Sequence, residues 1–306
     1  MKVSTFVAKK DWPVWSYLEK PGSIKPVVFF RITLGIFAIA KIAVLYHYLN
    51  DVYGQYGYVQ WAISKSGLYD FLPHLGDFYE LFKPYVGCST NFLYSFFWFY
   101  VLVLVLMSLG LFTRLSTILC FYLHLLWIDT GSGLMYGVDV FTQMALFYLM
   151  FMPAGSYFSL DVAFNFVKKK YKSVSAGMLR KLVQLQLILV YTSSGIEKGL
   201  GIQWWNGDAM WRSLMLPSFS QHDLTWLAQY PFILIVSGWL VVLMEVFYPV
   251  LLLVPKIRVY GILAVLLLHL SIGVFLGMWL FGFIMIILSA FAFGPEALAD
   301  FRRMKK

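Results

Sequence analysis

A chain of 306 residues that is 60% hydrophobic and 13% charged, with a mean hydropathy of +0.74, falls outside the soluble globular class, in which about a quarter of residues are charged. Apolar surface on this scale faces lipid, where only helices or a closed barrel satisfy every backbone group. The long apolar runs lack strict alternation, so the sequence predicts an all-α integral membrane protein, a polytopic bundle of about eight transmembrane helices; the net charge of +9 reads as a topology signal and not as a nucleic-acid surface.

Residues 1–25 are polar, hold Pro13 and Pro21, and lack the apolar run of a signal peptide, so the first span is expected to direct insertion. Spans are predicted at 26–49, 91–112, 115–131, 136–153, 179–199, 231–254, 257–276 and 278–294, forming one domain over 26–294 with a short tail at 295–306. Placing the N-terminus inside puts 19 of the 24 Lys and Arg residues on the inner side, among them Lys2, Lys9, Lys10, Lys168, Lys169, Lys170, Arg302, Arg303 and Lys306. The outer side keeps Lys65, Lys83, Lys198 and Arg212, and Lys41 lies within the first span. This asymmetry predicts an even number of spans with both termini cytoplasmic. The run KKKYK at 168–172 suits anionic lipid headgroups.

Two outer segments stand out. Residues 50–90 are too polar to span and too apolar to float free, which predicts short interfacial helices over the outer mouth. Residues 200–230 carry Trp204, Trp205, Trp211 and Trp226, an aromatic belt at headgroup level. Two such coverings on one side predict a covered outer cavity. Cys88 and Cys120 fall on opposite sides, and no CxxC or His/Cys cluster occurs, so no metal site is expected.

Ionisable groups inside a bilayer are costly and ask for a reason. Arg31 lies about 7 Å from the inner face and Glu245 about 13 Å, counting 1.5 Å per residue, which predicts a structural ion pair between them. Pro249 follows Glu245 by four and frees its carbonyl, so a kink is expected there. Lys41, Asp139 and Lys198 map to the outer half, with Asp139 at the positive end of the fourth span. Gln184, Tyr191 and Lys198 are spaced by seven, and Ser194 precedes Lys198 by four, so all share one helical face. Two readings of Lys198 stand: an anchor that snorkels to the headgroups, or a partly desolvated amine that serves as a base. The stripe behind it is either the wall of a site or interhelical glue. His269, in LLLHLSIGVFLGM, is a satisfied hydrogen-bonding residue or a relay. No pair of broken helices marks a transporter.

The segments FFRITLGI, MYGVDVFTQMALFYLMFMPAGSYFSLD (Met135 to Asp161), YTSSGIEKGLGIQWWNGDAM (Tyr191 to Met210), MEVFYPVLLLV and HLSIGVFLGM follow one another in an order that resembles the bacterial HTTM family. That family is similar to the transmembrane half of vitamin K-dependent gamma-carboxylase. The most specific piece is Gly195, Lys198, Trp204 and Gly207, a Gly-x-x-Lys followed by Trp-x-x-Gly. The resemblance implies a bacterial cytoplasmic-membrane protein. It also implies Lys198 as the general base acting on a reduced quinone (menaquinol or vitamin K hydroquinone) at the outer leaflet. Asp139 joins Lys198 as a catalytic residue on this reading, with Tyr191, Ser194, Trp204, Gly207 and His269 as binding residues. The chain departs from the carboxylase by one extra residue between Lys198 and Trp204. Gly131 and Ser132 stand where the carboxylase has an asparagine-histidine pair, and these 306 residues are expected to hold no counterpart of its peptide-capturing soluble domain. A branch of the family takes part in maturing a secreted peptide toxin. The alternative is therefore a non-enzymatic partner in the maturation or export of a secreted peptide, whose partners would be that peptide or another membrane protein.

Overall fold

In lipid the backbone has no water to bond, so the apolar runs close their own hydrogen bonds as helices. The computed structural model describes residues 13–67, 72–219 and 221–305; Lys2, Lys9, Lys10 and Lys306 lie outside them. In chain order the helices are α1 (Pro13–Leu18), α2 (Lys25–Ala43), α3 (Leu49–Tyr53), α4 (Trp61–Ser66), α5 (Leu75–Val86), α6 (Ser89–Leu109), α7 (Thr113–Thr130) and α8 (Gly137–Phe151). They continue with α9 (Leu160–Ala163), α10 (Val174–Leu200), α11 (Ile202–Trp205), α12 (Asp208–Met215), α13 (Pro231–Val246), α14 (Tyr248–Leu253), α15 (Arg258–Leu276) and α16 (Trp279–Met304). Five of these, α2, α6, α10, α15 and α16, are long and apolar enough to cross a membrane, and α8 and α13 are shorter apolar helices. α7 and the broken α13–α14 pair stand where the hydropathy predicts further spans.

The connections gather at two ends. The basic end carries Lys20, Lys25, Arg114, Lys168–Lys170 and Arg258. There a two-residue strand β1 (Gly22–Ser23) pairs antiparallel with β2 (Lys172–Ser173), and charges join helix ends: Arg180 to Glu296 at 2.6 Å and Arg258 to Asp300 at 2.7 Å. The aromatic end carries α3, α4 and α5, then α11, α12 and a 3-10 turn at Thr225–Gln229, the short interfacial helices expected there. Leu214, Leu227 and Leu234 form a small core of their own that packs on Leu276 at the end of α15. The main core fills the bundle, with Phe30 stacked on Phe291 at 4.2 Å between ring centroids.

Three expectations need correction. The first span stops at Ala43, where a 3-10 turn at Tyr46–Tyr48 takes over, and the last helix runs through Pro295 to Met304, so the tail belongs to it. The predicted Arg31–Glu245 pair is not formed. Arg31 is buried at the basic end, where it donates to the carbonyls of Ala154 at 2.6 Å and Phe158 at 2.7 Å. A guanidinium offers five donors and is matched as well by turn carbonyls as by a carboxylate. Glu245 instead faces Lys198 of α10, and the chain breaks at Phe247, ahead of Pro249, as that proline predicts.

Candidate functional site

Lys198 lies in the last turn of α10, three residues after Gly195. A Cβ on Gly195 would stand 2.6 Å from the Val246 nitrogen and 2.8 Å from the Glu245 Cβ. Only a glycine admits α13 this close, which is how small residues draw membrane helices together. The close approach sets the Glu245 carboxylate against Lys198, with both oxygens 2.6 Å from Nζ. Nζ also donates to Ser194 Oγ at 2.9 Å and stands 5.2 Å from the centre of the Trp204 ring. An ammonium has three donors, and here three acceptors take them. The Lys198 side chain keeps 24% of its surface, while Glu245 keeps 8%. The amine therefore points into the bundle wall and not out to headgroups. Glu197, the neighbouring residue, is exposed, as a 100° turn of the helix requires.

The seven-residue stripe continues inward as predicted. Tyr191 is hydrogen-bonded through its hydroxyl to His269 Nε2, and its ring stacks on Tyr248 at 4.1 Å and 8°. Gln184 donates to the Ala292 carbonyl at 2.7 Å. His269 Nδ1 is buried with no hydrogen-bond partner among the described residues, and the Tyr248 hydroxyl and Ser289 Oγ lie buried close by. Buried polar groups left unpaired are uncommon and ask for an ordered water or a ligand atom. The stripe thus forms a polar cell beneath the Lys198 pair.

The Trp-x-x-Gly stretch closes the outside. A Cβ on Gly238 of α13 would stand 2.3 Å from the Trp204 carbonyl, so α11 lies directly on α13. The Trp205 indole donates to the Gly199 carbonyl at 2.7 Å and the Trp239 indole to the Trp205 carbonyl at 2.9 Å. Gly207 turns the chain into α12 with φ +84°, and an added Cβ would stand 2.9 Å from the Ile235 nitrogen. Gly207→Ala is therefore expected to cost ~1–3 kcal/mol through left-handed strain and this close contact, read as a lowered thermal midpoint in detergent.

Asp139 does not join this group. Its carboxylate forms an ion pair with Lys41 and accepts from the Tyr136 nitrogen at 3.1 Å, which caps α8. Beside it His124 Nδ1 meets the Tyr100 hydroxyl at 3.1 Å. Among the described residues no hydrogen bond or ion pair joins this second cluster to Lys198. At Gly131 an added Cβ would stand 2.5 Å from the Tyr53 ring, so that ring fills the space over this segment. In the outer covering, His74 accepts from the Gly76 nitrogen at 2.9 Å and contacts Ser64 at 2.9 Å; burial lowers its imidazole pKa and favours the neutral form.

The HTTM domain matches residues 20–296. The chain belongs to the HTTM family. It is a multi-pass membrane protein of this carboxylase-related group. No curated protein matches the chain, and no solved structure does. Within this HTTM bundle, no group of three or more His, Cys, Asp or Glu side chains is placed to hold a metal among the described residues. Glu245 is the residue that sequence reasoning assigned to the wrong partner. Its signal was its place four residues before a proline in a helix otherwise free of charge.

Proposed function

We propose that this HTTM protein resides in a bacterial cytoplasmic membrane with both termini inside, and that its aromatic end removes a proton from a lipid-soluble quinol, with Lys198 as the base. One observation supports this most: an amine whose donors are all committed inside the protein still keeps a quarter-open side chain, 24% exposed. In the ion pair Lys198 has no lone pair. It gains one when a proton passes along the 2.6 Å contact to Glu245, leaving a neutral amine beside a carboxylic acid. Nζ then accepts the proton of a substrate hydroxyl and becomes an ammonium again, while Glu245 holds the first proton until it is released. A reduced quinone, when bound, supplies that acidic hydroxyl. The residues present fit such a group: Trp204 offers an aromatic face beside Nζ, and Leu200 and Ile202, 84% and 72% exposed, offer apolar surface to a lipid tail. Tyr191 and His269 hold the wall behind the base; Asp139 is left out, since its oxygens serve Lys41 and the α8 cap.

The ion pair also favours a second reading. A fully satisfied Lys198–Glu245 contact is what interhelical glue looks like. Tyr56, Tyr58 and Tyr85, 81%, 79% and 86% exposed, then form a face for a secreted peptide or a partner membrane protein. Lys198→Arg separates the two. Arginine keeps the charge and the contact with Glu245 but does not give up its proton. The enzyme reading expects a folded protein whose quinol consumption in proteoliposomes falls ~100-fold or more, the usual weight of a general base. Full function in that variant, with no quinone extractable from the purified wild type, supports the partner role instead.

A further inference from the structure

At the opposite, basic end a cavity of about 510 Å³ opens between the start of α7, the turn at 151–156 and the segment at 161–167. We propose that it binds an anionic phospholipid, one acyl chain lying in the cavity and the headgroup phosphate at its basic rim.

The cavity is built, not a gap between loose loops. Asp161 accepts from the Phe112 nitrogen at 2.7 Å, the Thr113 nitrogen at 2.8 Å and Thr113 Oγ1 at 2.6 Å. Arg31 fixes the opposite turn through its two carbonyl contacts. A Cβ on Gly155 would stand 2.6 Å from Thr113 Oγ1, so the wall has no slack. Phe112 sits at φ +47°, a region bulky side chains rarely occupy, and Asp161 holds its nitrogen there. The strained backbone sets the Phe112 ring against that of Phe166, 5.8 Å between centroids, at the cavity edge. Both rings are open, 57% and 59% exposed, and Leu115 and Phe151 extend the apolar flank at 59% and 46%. That is a lining for a hydrocarbon chain, and the volume falls within the range of ligand sites.

The rim supplies the charge. Arg114 lines the mouth, donates to the Met150 carbonyl, and is exposed. Lys168 and Lys170 follow directly on the lining residues Phe166 and Val167, both exposed, and the Lys170 nitrogen bonds to the carbonyl of Ser156, itself in the lining. Lys169 is drawn aside between the Tyr157 and Tyr171 rings, 5.4 Å from each. Asp161, the acid in the lining, has both oxygens taken up by its three bonds. A phosphate diester meets cations here and, among the described lining residues, no free carboxylate, which selects a phosphatidylglycerol-like headgroup over a zwitterionic one.

The test is native mass spectrometry of the full chain released from mixed phosphatidylglycerol and phosphatidylcholine of matched tails. One phosphatidylglycerol is expected to stay bound at collision energies that strip phosphatidylcholine, with a preference of about fivefold or more, the weight of one to two charge contacts. Arg114→Gln, Lys168→Gln and Lys170→Gln together should abolish the preference. Val167→Trp, which fills the cavity and keeps every charge, should abolish retention, and thermal unfolding checks that each variant folds. Equal retention of both lipids, retention unchanged in either variant, or displacement by glycerol phosphate without tails overturns the proposal.

Discussion

Replacing Lys198 by methionine is expected to destabilise the folded bundle by ~3–5 kcal/mol, because it strands a buried carboxylate without a cation. The Glu245 side chain is 8% exposed and faces Lys198 with both oxygens. Gly195 and Gly199 hold α13 too close for solvent to replace the lost ammonium; an added Cβ at 199 would already touch Val242 at 3.4 Å. Glu245→Gln is expected to cost less, about 1 kcal/mol, since the freed amine retains Ser194 and a path outward for its charge. The double variant Lys198→Met with Glu245→Gln should recover most of the loss, because replacing both members of a buried pair is often neutral. Thermal unfolding of the four proteins in one detergent reads the cycle. A Lys198→Met penalty below that of Glu245→Gln would show that the carboxylate, not the amine, is the member open to water.

This asymmetry follows from tertiary detail that hydropathy does not encode. The sequence predicts the apolar helices, the interfacial coverings, the break ahead of Pro249 and the inward stripe Gln184–Tyr191–Lys198, all of which depend on local periodicity. Each is present. Partner choice among charges depends instead on tilt and on where close glycine contacts fall. Counting depth along a straight helix from 231 to 254 paired Glu245 with Arg31. The close approach of α13 at Gly195 pairs it with Lys198. Asp139 stands at the start of its helix as expected, where its cap forms, but sequence position alone named no cation for it, and Lys41 is the one it meets. The cavity at the basic end had a sequence signal in KKKYK, but its apolar half comes from Phe112 and Phe151, which meet only in three dimensions. The polar cell of His269, Tyr248 and Ser289 joins α15, α14 and α16, and no single helix pattern announces it.

The second pair gives a different expected pattern, and the contrast tests the reading of both. Lys41 and Asp139 are both enclosed, with side chains 5% and 9% exposed. Lys41 lies in the last turn of α2, and its ammonium has no open side toward which to swing. Lys41→Met should therefore cost ~3–5 kcal/mol, and so should Asp139→Asn, because each leaves one charge uncompensated in the bundle. The asparagine keeps an oxygen for the Tyr136 nitrogen, so loss of the cap does not explain its penalty. Asp139→Ala, which also removes the cap, should add ~1 kcal/mol more. The combination Lys41→Met with Asp139→Asn should return close to wild type, giving a coupling energy of roughly 6–10 kcal/mol, above the ~0.5–3 kcal/mol of ordinary contacting pairs. Both single variants costly at Lys41–Asp139 and one costly at Lys198–Glu245 is the result that separates a sealed structural pair from an amine kept within reach of a substrate. Equal asymmetry in the two cycles would remove the distinction on which the assignment of Lys198 as the base depends.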